Sequence, residues 1–198
     1  MVLPREFYRR KTITIARELI GKLLVRMIGQ SRISGIIYET EAYDGENDLA
    51  CHARSGKTER NAVMYGDGGY AYVYFTYGMH WMFNCVAGPA GYPAAILVRA
   101  IYPIEGLDHI ELMRSPIEKE SWCNGPAKLT QALSISRELN GKDLCSPNND
   151  ISIEQGITTS NSWIQTTPRI GIQSTPEPWK SKSWRFIADL SKIKSNVN

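Results

Sequence analysis

The fold of this chain is decided by residues 70–86, which read YAYVYFT-YGMH-WMFNCV. The first seven residues are almost all aromatic or β-branched, the composition that favours a β-strand. The next four include a glycine and form a predicted turn, and the last six return as the partner strand. Because side chains alternate along a strand, Tyr70, Tyr72 and Tyr74 are predicted to share one face. The stretch therefore predicts a protruding β-hairpin with a face of tyrosines and an exposed Tyr77 at its tip.

Outward from the hairpin, apolar spacing and turn residues predict further helices and strands. The predicted helices lie at residues 4–20, 104–115 and 125–133, with a short helix around 60–64 inside a long loop at 44–69. The predicted strands lie at residues 22–28, 33–43, 93–100, 169–172 and 185–188, with a turn at 29–31 joining the first two. These elements are typical of the α+β class. We therefore predict a single compact domain over residues 1–198, with a curved, mainly antiparallel sheet flanked by helices and a tail from about residue 190.

The composition indicates a globular chain with an uneven charge distribution. The chain has 198 residues, of which 42% are hydrophobic and 22% are charged, which excludes long disorder, a collagen-like repeat and a coiled coil. The net charge is only +3. Residues 1–35 have eight basic and two acidic side chains, or +6, whereas residues 36–50 have five acidic side chains and no basic one, or −5. The overall charge therefore does not by itself indicate a polyanionic partner.

The cysteines and the N-terminus indicate a protein of the cell interior. The four cysteines are dispersed and form no CxxC pair, which favours reduced thiols and offers no clustered metal ligands. We expect neither a metal site nor an organic cofactor. Charged residues follow Met1 closely, so no secretory signal is predicted, and no apolar run reaches the roughly 18 to 20 residues of a membrane span. We expect a cytoplasmic protein, associated with the nucleoid if the source is bacterial.

The stretch ETEAY at residues 39–43 places two carboxylates close together. Strand alternation predicts Glu39, Glu41 and Tyr43 on one face, with about 7 Å between successive side chains. Like charges this close repel each other, and further acidic residues follow directly. Either this strand end is a solvated edge that faces the basic first segment, or one glutamate is a general base whose pKa is set by its neighbours. The residues alone leave both interpretations open.

Three further features suit a nucleic-acid substrate but also have ordinary structural interpretations. Strand tyrosines form half-buried core more often than a binding surface, although a large ring at an exposed tip, such as Tyr77, suits insertion into a base stack. Arg99 follows an apolar strand, where it is either a surface charge or a group that holds a catalytic water. The long loop has basic side chains that suit either solvent or DNA phosphates. They are Arg54, Lys57 and Arg60.

Ordered motifs over nearly the whole chain resemble the alkyladenine (3-methyladenine/hypoxanthine) DNA glycosylase family. They are ETEAY at 39–43, ACHAR at 50–54, RN at 60–61, Met64, YVY at 72–74, YGM at 77–79, Asn84, LVRA at 97–100, GPAKL at 125–129, QAL at 131–133 and RIGI at 169–172. The match runs from about residue 5 to about residue 188. The resemblance implies a monofunctional DNA glycosylase of base excision repair. Such an enzyme flips alkylated or deaminated purines out of double-stranded DNA, works as a monomer and needs no cofactor.

The resemblance also implies roles for individual residues. Glu41 matches the general base that activates water, and Arg99 and the carbonyl of Ile170 match groups that help to hold that water. Tyr77 matches the residue that intercalates where the base has left the duplex. The remaining matches form the pocket of the flipped base: Tyr43, His52 and Tyr74 stack on it or contact it, and Asn84 disfavours the exocyclic amine of guanine.

Other functions fit parts of the same sequence. A glycosidase acting on small nucleosides would use Glu39 and Glu41 as an acid/base pair. A damage-binding module would recognise the lesion without catalysis. A glycosylase with lyase activity would need a nucleophilic lysine in the pocket. None of Lys57, Lys128 and Lys142 is an obvious candidate.

Overall fold

The computed structural model describes residues 1–197 of the chain. Within this range it has eight strands and five α-helices, numbered in chain order. The strands are β1 (Leu23–Ile28), β2 (Ser31–Asp44), β3 (Ala71–Thr76), β4 (His80–Ala87), β5 (Ala94–Glu105), β6 (Ile151–Glu154), β7 (Ile164–Thr167) and β8 (Arg185–Ala188). The helices are α1 (Arg5–Tyr8), α2 (Thr12–Glu18), α3 (Leu107–Arg114), α4 (Pro126–Ala132) and α5 (Leu190–Ser195). Two short 3₁₀-helices, His52–Ser55 and Ala62–Tyr65, lie in the loop between β2 and β3.

The strands form one open antiparallel sheet in the order β3-β4-β5-β2-β1-β6. Strand β8 pairs with residues 39–41 of β2 and also with β7. Helix α2 packs on β2, and α4 packs on β4 and β5. The predicted α+β class and antiparallel sheet are confirmed. Among residues 1–197, no helix has the length and apolar character needed to cross a bilayer.

Strand β2 changes its partner along its length, and this places the acidic stretch inside the sheet. Its first half pairs with β1 and its second half with β8, while β5 lies along the other side. The register against β5 shifts around Glu39, the irregularity of a β-bulge, which redirects side chains. Thr40 is buried, and its hydroxyl donates a hydrogen bond to the carbonyl of Ala16 in α2 (2.7 Å). Both edges of this half of β2 are therefore paired with neighbouring strands, and helix α2 covers the face that contains Thr40.

Two hydrophobic clusters hold the elements together. The larger one includes apolar side chains from the sheet and from all five helices, α1 to α5. The smaller one lies beside the β3–β4 hairpin and consists of Cys51, Ala53, Met64, Tyr72, Val86 and Ala95. This second cluster packs the loop after β2 against the hairpin, so it fixes the loop residues relative to the strand tyrosines.

The predicted hairpin is confirmed as β3 and β4, which pair in continuous register. Tyr77 and Gly78 both have positive φ angles, 53° and 68°, and the amide of Met79 donates to the carbonyl of Thr76. This is the pattern of a type I′ turn. Left-handed backbone costs a tyrosine roughly 1–2 kcal/mol. Because Tyr77 is 81% exposed, no packing of its ring in the free protein offsets this cost.

The strand predicted at residues 169–172 is wrong, because these residues form a loop. Strand β7 ends at Thr167, and the following Pro168 has no amide hydrogen with which to continue the pairing. Arg169 is 4% exposed overall, and its side chain is fully buried. The side chain of Arg169 therefore makes a contact in the protein interior, and its backbone is not part of a strand.

Both ends of the chain also differ from expectation. The helix predicted at residues 4–20 is broken between α1 and α2, where Arg9 leaves the helix and its Nη2 binds Oδ2 of Asp67 (2.6 Å). The tail predicted from about residue 190 is wrong for residues 190–195, which form α5. Asp189 caps this helix by accepting a hydrogen bond from the amide of Ser191 (2.9 Å), and Ile193 is fully buried. Residue 198 lies outside the described residues.

Candidate active site

A cavity of about 320 Å³ opens beside the β3–β4 hairpin and brings most of the predicted site residues together. Seven of them line it: Tyr43, His52, Tyr74, Tyr77, Asn84, Arg99 and Ile170. They belong to four strands, the hairpin turn and two loops, so the folded sheet is needed to assemble them. The wall also contains Tyr72, Met82 and Leu97, to which the sequence analysis assigned no role. The volume is within the range of small-molecule sites, roughly 300–1,000 Å³.

Glu41 lies behind this wall, and its side chain is fully buried. Its Oε1 accepts a hydrogen bond from the amide of Ile170 (2.7 Å), and its Oε2 accepts one from the hydroxyl of Tyr43 (2.9 Å). Nη1 of Arg99 lies 3.3 Å from Oε2. All three partners line the cavity. The groups that hold Glu41 therefore also separate it from the cavity.

Burial raises the pKa of Glu41 above its ordinary value of 4.5, because the interior disfavours the charged carboxylate. Arg99, the amide of Ile170 and the hydroxyl of Tyr43 oppose this effect by stabilising the anion, whereas Glu39 adds to it. General-base catalysis is most efficient when the pKa of the base lies near the working pH. The environment of Glu41 therefore suits the abstraction of a proton from water.

Arg99 bridges the two glutamates, which confirms the prediction that they share a face. Its Nε donates to Oε1 of Glu39 (2.6 Å), while its Nη1 faces Glu41. Arg185 in β8 donates from its own Nε to the same Oε1 of Glu39 (2.7 Å). Glu39 is therefore held by two guanidinium groups. The sequence analysis missed Arg185, which is 146 residues away from Glu39 in the chain.

The alternative of a solvated acidic edge is wrong for Glu39, Glu41 and Asp48, which are all buried. Asp48 pairs with Arg169, and both of these side chains are fully buried. Among the described ion pairs of these three carboxylates, none involves the basic N-terminal segment. These three carboxylates are therefore neutralised by arginines from β5, β8 and the loop between β7 and β8.

An aromatic wall faces the cavity beside these charges. The rings of His52 and Tyr74 meet edge-on with 4.6 Å between centroids, and Tyr72 lies 5.2 Å from Tyr74. Nδ1 of His52 is 2.9 Å from the hydroxyl oxygen of Tyr72. Desolvation of the ring by its aromatic neighbours and the charges of Arg60 and Arg54 lower the pKa of His52 to about 4, so the ring is neutral at pH 7. Because side chains alternate along a strand, the YVY motif already predicts that Tyr72 and Tyr74 lie on the same face.

Asn84 lies on β4 directly opposite Tyr72. Its Nδ2 donates a hydrogen bond to the carbonyl of Tyr72 (3.0 Å), and its side chain is buried in the cavity wall. An amide group has two donor hydrogens and one acceptor oxygen. The bond to Tyr72 uses one of these two hydrogens and fixes the orientation of the Asn84 amide in the wall.

The three basic residues predicted to contact DNA phosphates lie outside the cavity wall and are exposed. The guanidinium of Arg60 lies over the ring of Tyr74, 4.9 Å from its centroid. Arg54 donates to a main-chain carbonyl of its own loop (2.9 Å), and Nζ of Lys57 lies 5.6 Å from the ring centroid of Tyr65. Arg60 is therefore the one in direct contact with a cavity residue.

Residues 6–192 match the family model described as methylpurine-DNA glycosylase. The chain belongs to this family. A relative from Methanocella arvoryzae is 46% identical over 186 residues, which cover 93% of this chain and 91% of the relative. Another from Carboxydothermus hydrogenoformans is 46% identical over 195 residues, or 98% and 99% of the two chains. Both relatives are named "Putative 3-methyladenine DNA glycosylase".

Membership in the methylpurine-DNA glycosylase family confirms the resemblance seen in the sequence. The chain is a DNA glycosylase, a hydrolase of N-glycosyl bonds that acts in DNA repair.

In the part of the chain that the structure describes, no lysine lines the cavity of this glycosylase. Nζ of Lys128 donates to Oδ1 of Asn124 (2.6 Å), and Nζ of Lys142 lies 3.9 Å from Asp150. The lyase alternative therefore has no amine in position there. Residues 1–197 also contain no group of three or more His, Cys, Asp or Glu side chains placed to hold a metal ion.

Proposed function

We propose that this glycosylase flips an alkylated or deaminated purine nucleotide out of duplex DNA and hydrolyses its N-glycosidic bond with a water activated by Glu41. Arg99 and the carbonyl of Ile170 help to hold that water, and the protein acts as a monomer without a covalent intermediate. One observation supports the proposal most strongly. Glu41 is buried at the wall of an aromatic cavity and is held by the Ile170 amide, the Tyr43 hydroxyl and Arg99.

The cavity suits an electron-poor purine. Alkylation at N3 or N7 gives the base a positive charge and weakens its glycosidic bond before the enzyme acts. Stacking of such a ring on Tyr43 or Tyr74 adds a cation–π attraction of about 0.5–2 kcal/mol. His52 is neutral at pH 7 and does not oppose that charge. The hydrogen bond to Tyr72 fixes the side chain of Asn84 in the cavity wall, where its bulk leaves no room for the exocyclic amine of undamaged guanine.

Glu41 supplies two effects that grow in the transition state. As a general base it takes a proton from the attacking water, an effect worth typically about 10²- to 10⁴-fold in rate. As an anion it stabilises the positive charge that develops on the sugar. Each carboxylate oxygen has two lone pairs, so Glu41 keeps acceptor capacity beyond the contacts it makes. The proposal requires the wall over Glu41 to open enough on DNA binding for one water to enter.

The hairpin tip suits the role of a wedge. Extruding a base costs a few kcal/mol, and the cost is least for damaged or poorly paired bases. The strained turn presents the ring of Tyr77 to solvent, where it is free to fill the gap left in the stack. Arg54, Lys57 and Arg60 are exposed and suit phosphate contacts, and Arg60 lies over the hairpin residue Tyr74. Binding to DNA should therefore weaken steeply with salt.

The nucleoside glycosidase alternative fits the structure less well. It requires Glu39 to exchange a proton with the substrate as the partner of Glu41. Glu39 instead accepts hydrogen bonds from Arg99 and Arg185 at 2.6 and 2.7 Å and does not line the cavity. Glu39 is therefore held away from the cavity and is not placed to exchange a proton with a substrate.

The test is base release from duplex oligonucleotides that contain 3-methyladenine, 7-methylguanine, hypoxanthine or ethenoadenine. We expect the wild type to release at least one of these bases and Glu41→Gln to lose most of that activity. Free nucleosides and a borohydride trap are the controls. Release that requires neither duplex DNA nor Tyr77, or a covalent adduct trapped by borohydride, would contradict the proposal.

A further inference from the structure

A buried ion pair lies directly beside the proposed catalytic groups and has no role in the scheme above. Nη2 of Arg169 donates to Oδ1 of Asp48 (2.9 Å), and Nη1 donates to Oδ2, so the pair is bidentate. Both side chains are fully buried. Nε of Arg169 is also buried, and within the described residues it has no hydrogen-bond partner. Such a pair is costly to remove from water.

Arg169 also connects the strand that contains Glu41 to the segment before β8. Nη1 donates to the carbonyl of Ala42 (2.8 Å), and Nη2 donates to the carbonyl of Trp179 (3.3 Å). Its guanidinium lies between two rings, 4.8 Å from the centroid of Tyr43 and 5.0 Å from that of Trp184. The side chain of Arg169 therefore contacts the two residues that follow Glu41 along β2, Ala42 and Tyr43.

The residue after Arg169 supplies the hydrogen bond to the general base. The amide of Ile170 donates to Oε1 of Glu41 (2.7 Å). Ile170 lies in a loop, and it is 45% exposed, so its own side chain does little to hold it. Gly171, which follows, has a positive φ angle of 81° and open space around it. The buried anchors of this amide are thus Arg169 on one side and the more distant Ile172 on the other.

We propose that the Arg169–Asp48 pair positions the reaction by holding the amide of Ile170 against the carboxylate of Glu41. The inference rests on the proposed function, since it assigns to the pair an effect on that same base. Arg169 and Asp48 touch neither the cavity nor the reacting atoms, so they are positioning residues rather than catalytic ones. Stability alone is a weak reason for such a pair, because replacing a buried ion pair with well-packed apolar residues is often neutral or stabilising.

The electrostatics predict what the pair controls. The amide of Ile170 favours the ionised form of Glu41, and so do Arg99 on β5 and the hydroxyl of Tyr43 on β2. Against them act burial and the negative charge of Glu39, which is itself neutralised in part by Arg185 on β8. Tyr74 on β3 is close enough to sense the charge of Glu41. Loss of the amide contact leaves the other groups in place and therefore raises the pKa of Glu41.

The test compares two double variants of matched design. Asp48→Asn with Arg169→Gln removes both charges. Asparagine keeps one of the two side-chain oxygens of Asp48, which accept hydrogen bonds from the amides of Asp44 and Ala50. The control is Asp143→Asn with Arg5→Gln, because this partly exposed pair makes the same kinds of contact but does not line the cavity. Nη2 of Arg5 lies 2.6 Å from Asp143, its Nη1 donates to a main-chain carbonyl (2.8 Å), and its guanidinium lies over a tyrosine ring.

The first readout does not depend on activity. Titration of ¹³C-labelled glutamate carboxyls by NMR reports the pKa of Glu41, assigned by the signal missing from Glu41→Gln. The second readout is the single-turnover rate of base release as a function of pH. We expect the Asp48/Arg169 variant to titrate Glu41 at a higher pH and to release base about 10- to 100-fold more slowly, the effect of losing one hydrogen bond to a charged group. The Arg5/Asp143 control should keep both wild-type values.

Each result decides the inference. A folded Asp48/Arg169 variant with the wild-type titration of Glu41 overturns it, whether the rate is normal or reduced. If that variant does not fold, Arg169→Lys gives the same test, because lysine keeps the charge but cannot form the bidentate contact. If the wild type releases no base while the titration still shifts in the variant, the proposed function fails and the positioning of Glu41 stands.

Discussion

Replacing Glu39 with glutamine is expected to destabilise the protein without abolishing its activity. The carboxylate of Glu39 accepts hydrogen bonds from Arg99 and Arg185 at 2.6 and 2.7 Å, both on the same oxygen. Glutamine keeps one acceptor oxygen but removes the negative charge. Two guanidinium groups then share a buried position with only Glu41 left to neutralise them.

The expected loss follows from the burial of this cluster. Glu39 is 8% exposed, and the side chains of Arg99 and Arg185 are 12% and 18% exposed. Removing one partner of a buried ion pair costs about 3–5 kcal/mol, and the retained oxygen favours the lower value. For a protein of this size, 1 kcal/mol lowers the melting temperature by about 2–4 °C. We therefore expect a decrease of roughly 6–12 °C.

Thermal unfolding at pH 7, followed by circular dichroism, measures this decrease. The matched control is Glu105→Gln, whose carboxylate pairs with the partly exposed Arg32 (2.9 Å) and should cost at most about 1 kcal/mol. Base release per folded Glu39→Gln molecule should fall less than it does in Glu41→Gln. A melting temperature within about 2 °C of the wild type would refute the reasoning. If activity were then lost as well, the result would favour the nucleoside glycosidase.

The remaining predictions concern the other groups of the site. Glu41→Gln should change how stability depends on pH. Because the pKa of Glu41 is raised in the folded state, the melting temperature of the wild type should fall relative to that of Glu41→Gln as the pH rises through that pKa. A difference in melting temperature that stays the same between pH 4 and pH 7 would contradict a raised pKa. Tyr77→Ala should leave the melting temperature unchanged, because the ring is 81% exposed, while stopped-flow fluorescence of 2-aminopurine beside the lesion should show less flipped base. Equal flipping in both proteins would exclude Tyr77 as the wedge. His52→Gln should leave the acidic limb of the pH–rate profile in place between pH 5 and 8, because the pKa of His52 is lowered to about 4 and the ring is neutral throughout that range. A displaced limb would mean that His52 titrates in the complex.

Local patterns predicted the hairpin and much of the cavity. Alternation along ETEAY and YVY correctly placed Glu39 with Glu41 and Tyr72 with Tyr74, because strand side chains alternate whatever the rest of the fold does. The same patterns also placed the turn at Tyr77, where the glycine that follows permits a type I′ conformation.

The partners of the acidic residues were not predictable in this way. Arg169 is 121 residues from Asp48, and Arg185 is 146 residues from Glu39, so no local pattern connects them. An isolated acidic stretch looks solvated because the arginines that neutralise it are brought by β8 and the loop before it. RIGI at residues 169–172 looks like a strand for the same reason, because its local pattern does not show the distant partner of its arginine. In the structure Arg169 is buried against Asp48, and the segment is a loop.

The most direct test of the account is the single-turnover rate of base release by Glu41→Gln, measured against pH beside the wild type on methylated duplex DNA. The wild-type rate should fall as the pH is lowered through the raised pKa of Glu41. The Glu41→Gln rate should be about 10²- to 10⁴-fold lower at neutral pH and should lack that acidic limb. A Glu41→Gln protein that releases base at the wild-type rate with the same pH dependence would contradict the claim that this glutamate activates the water.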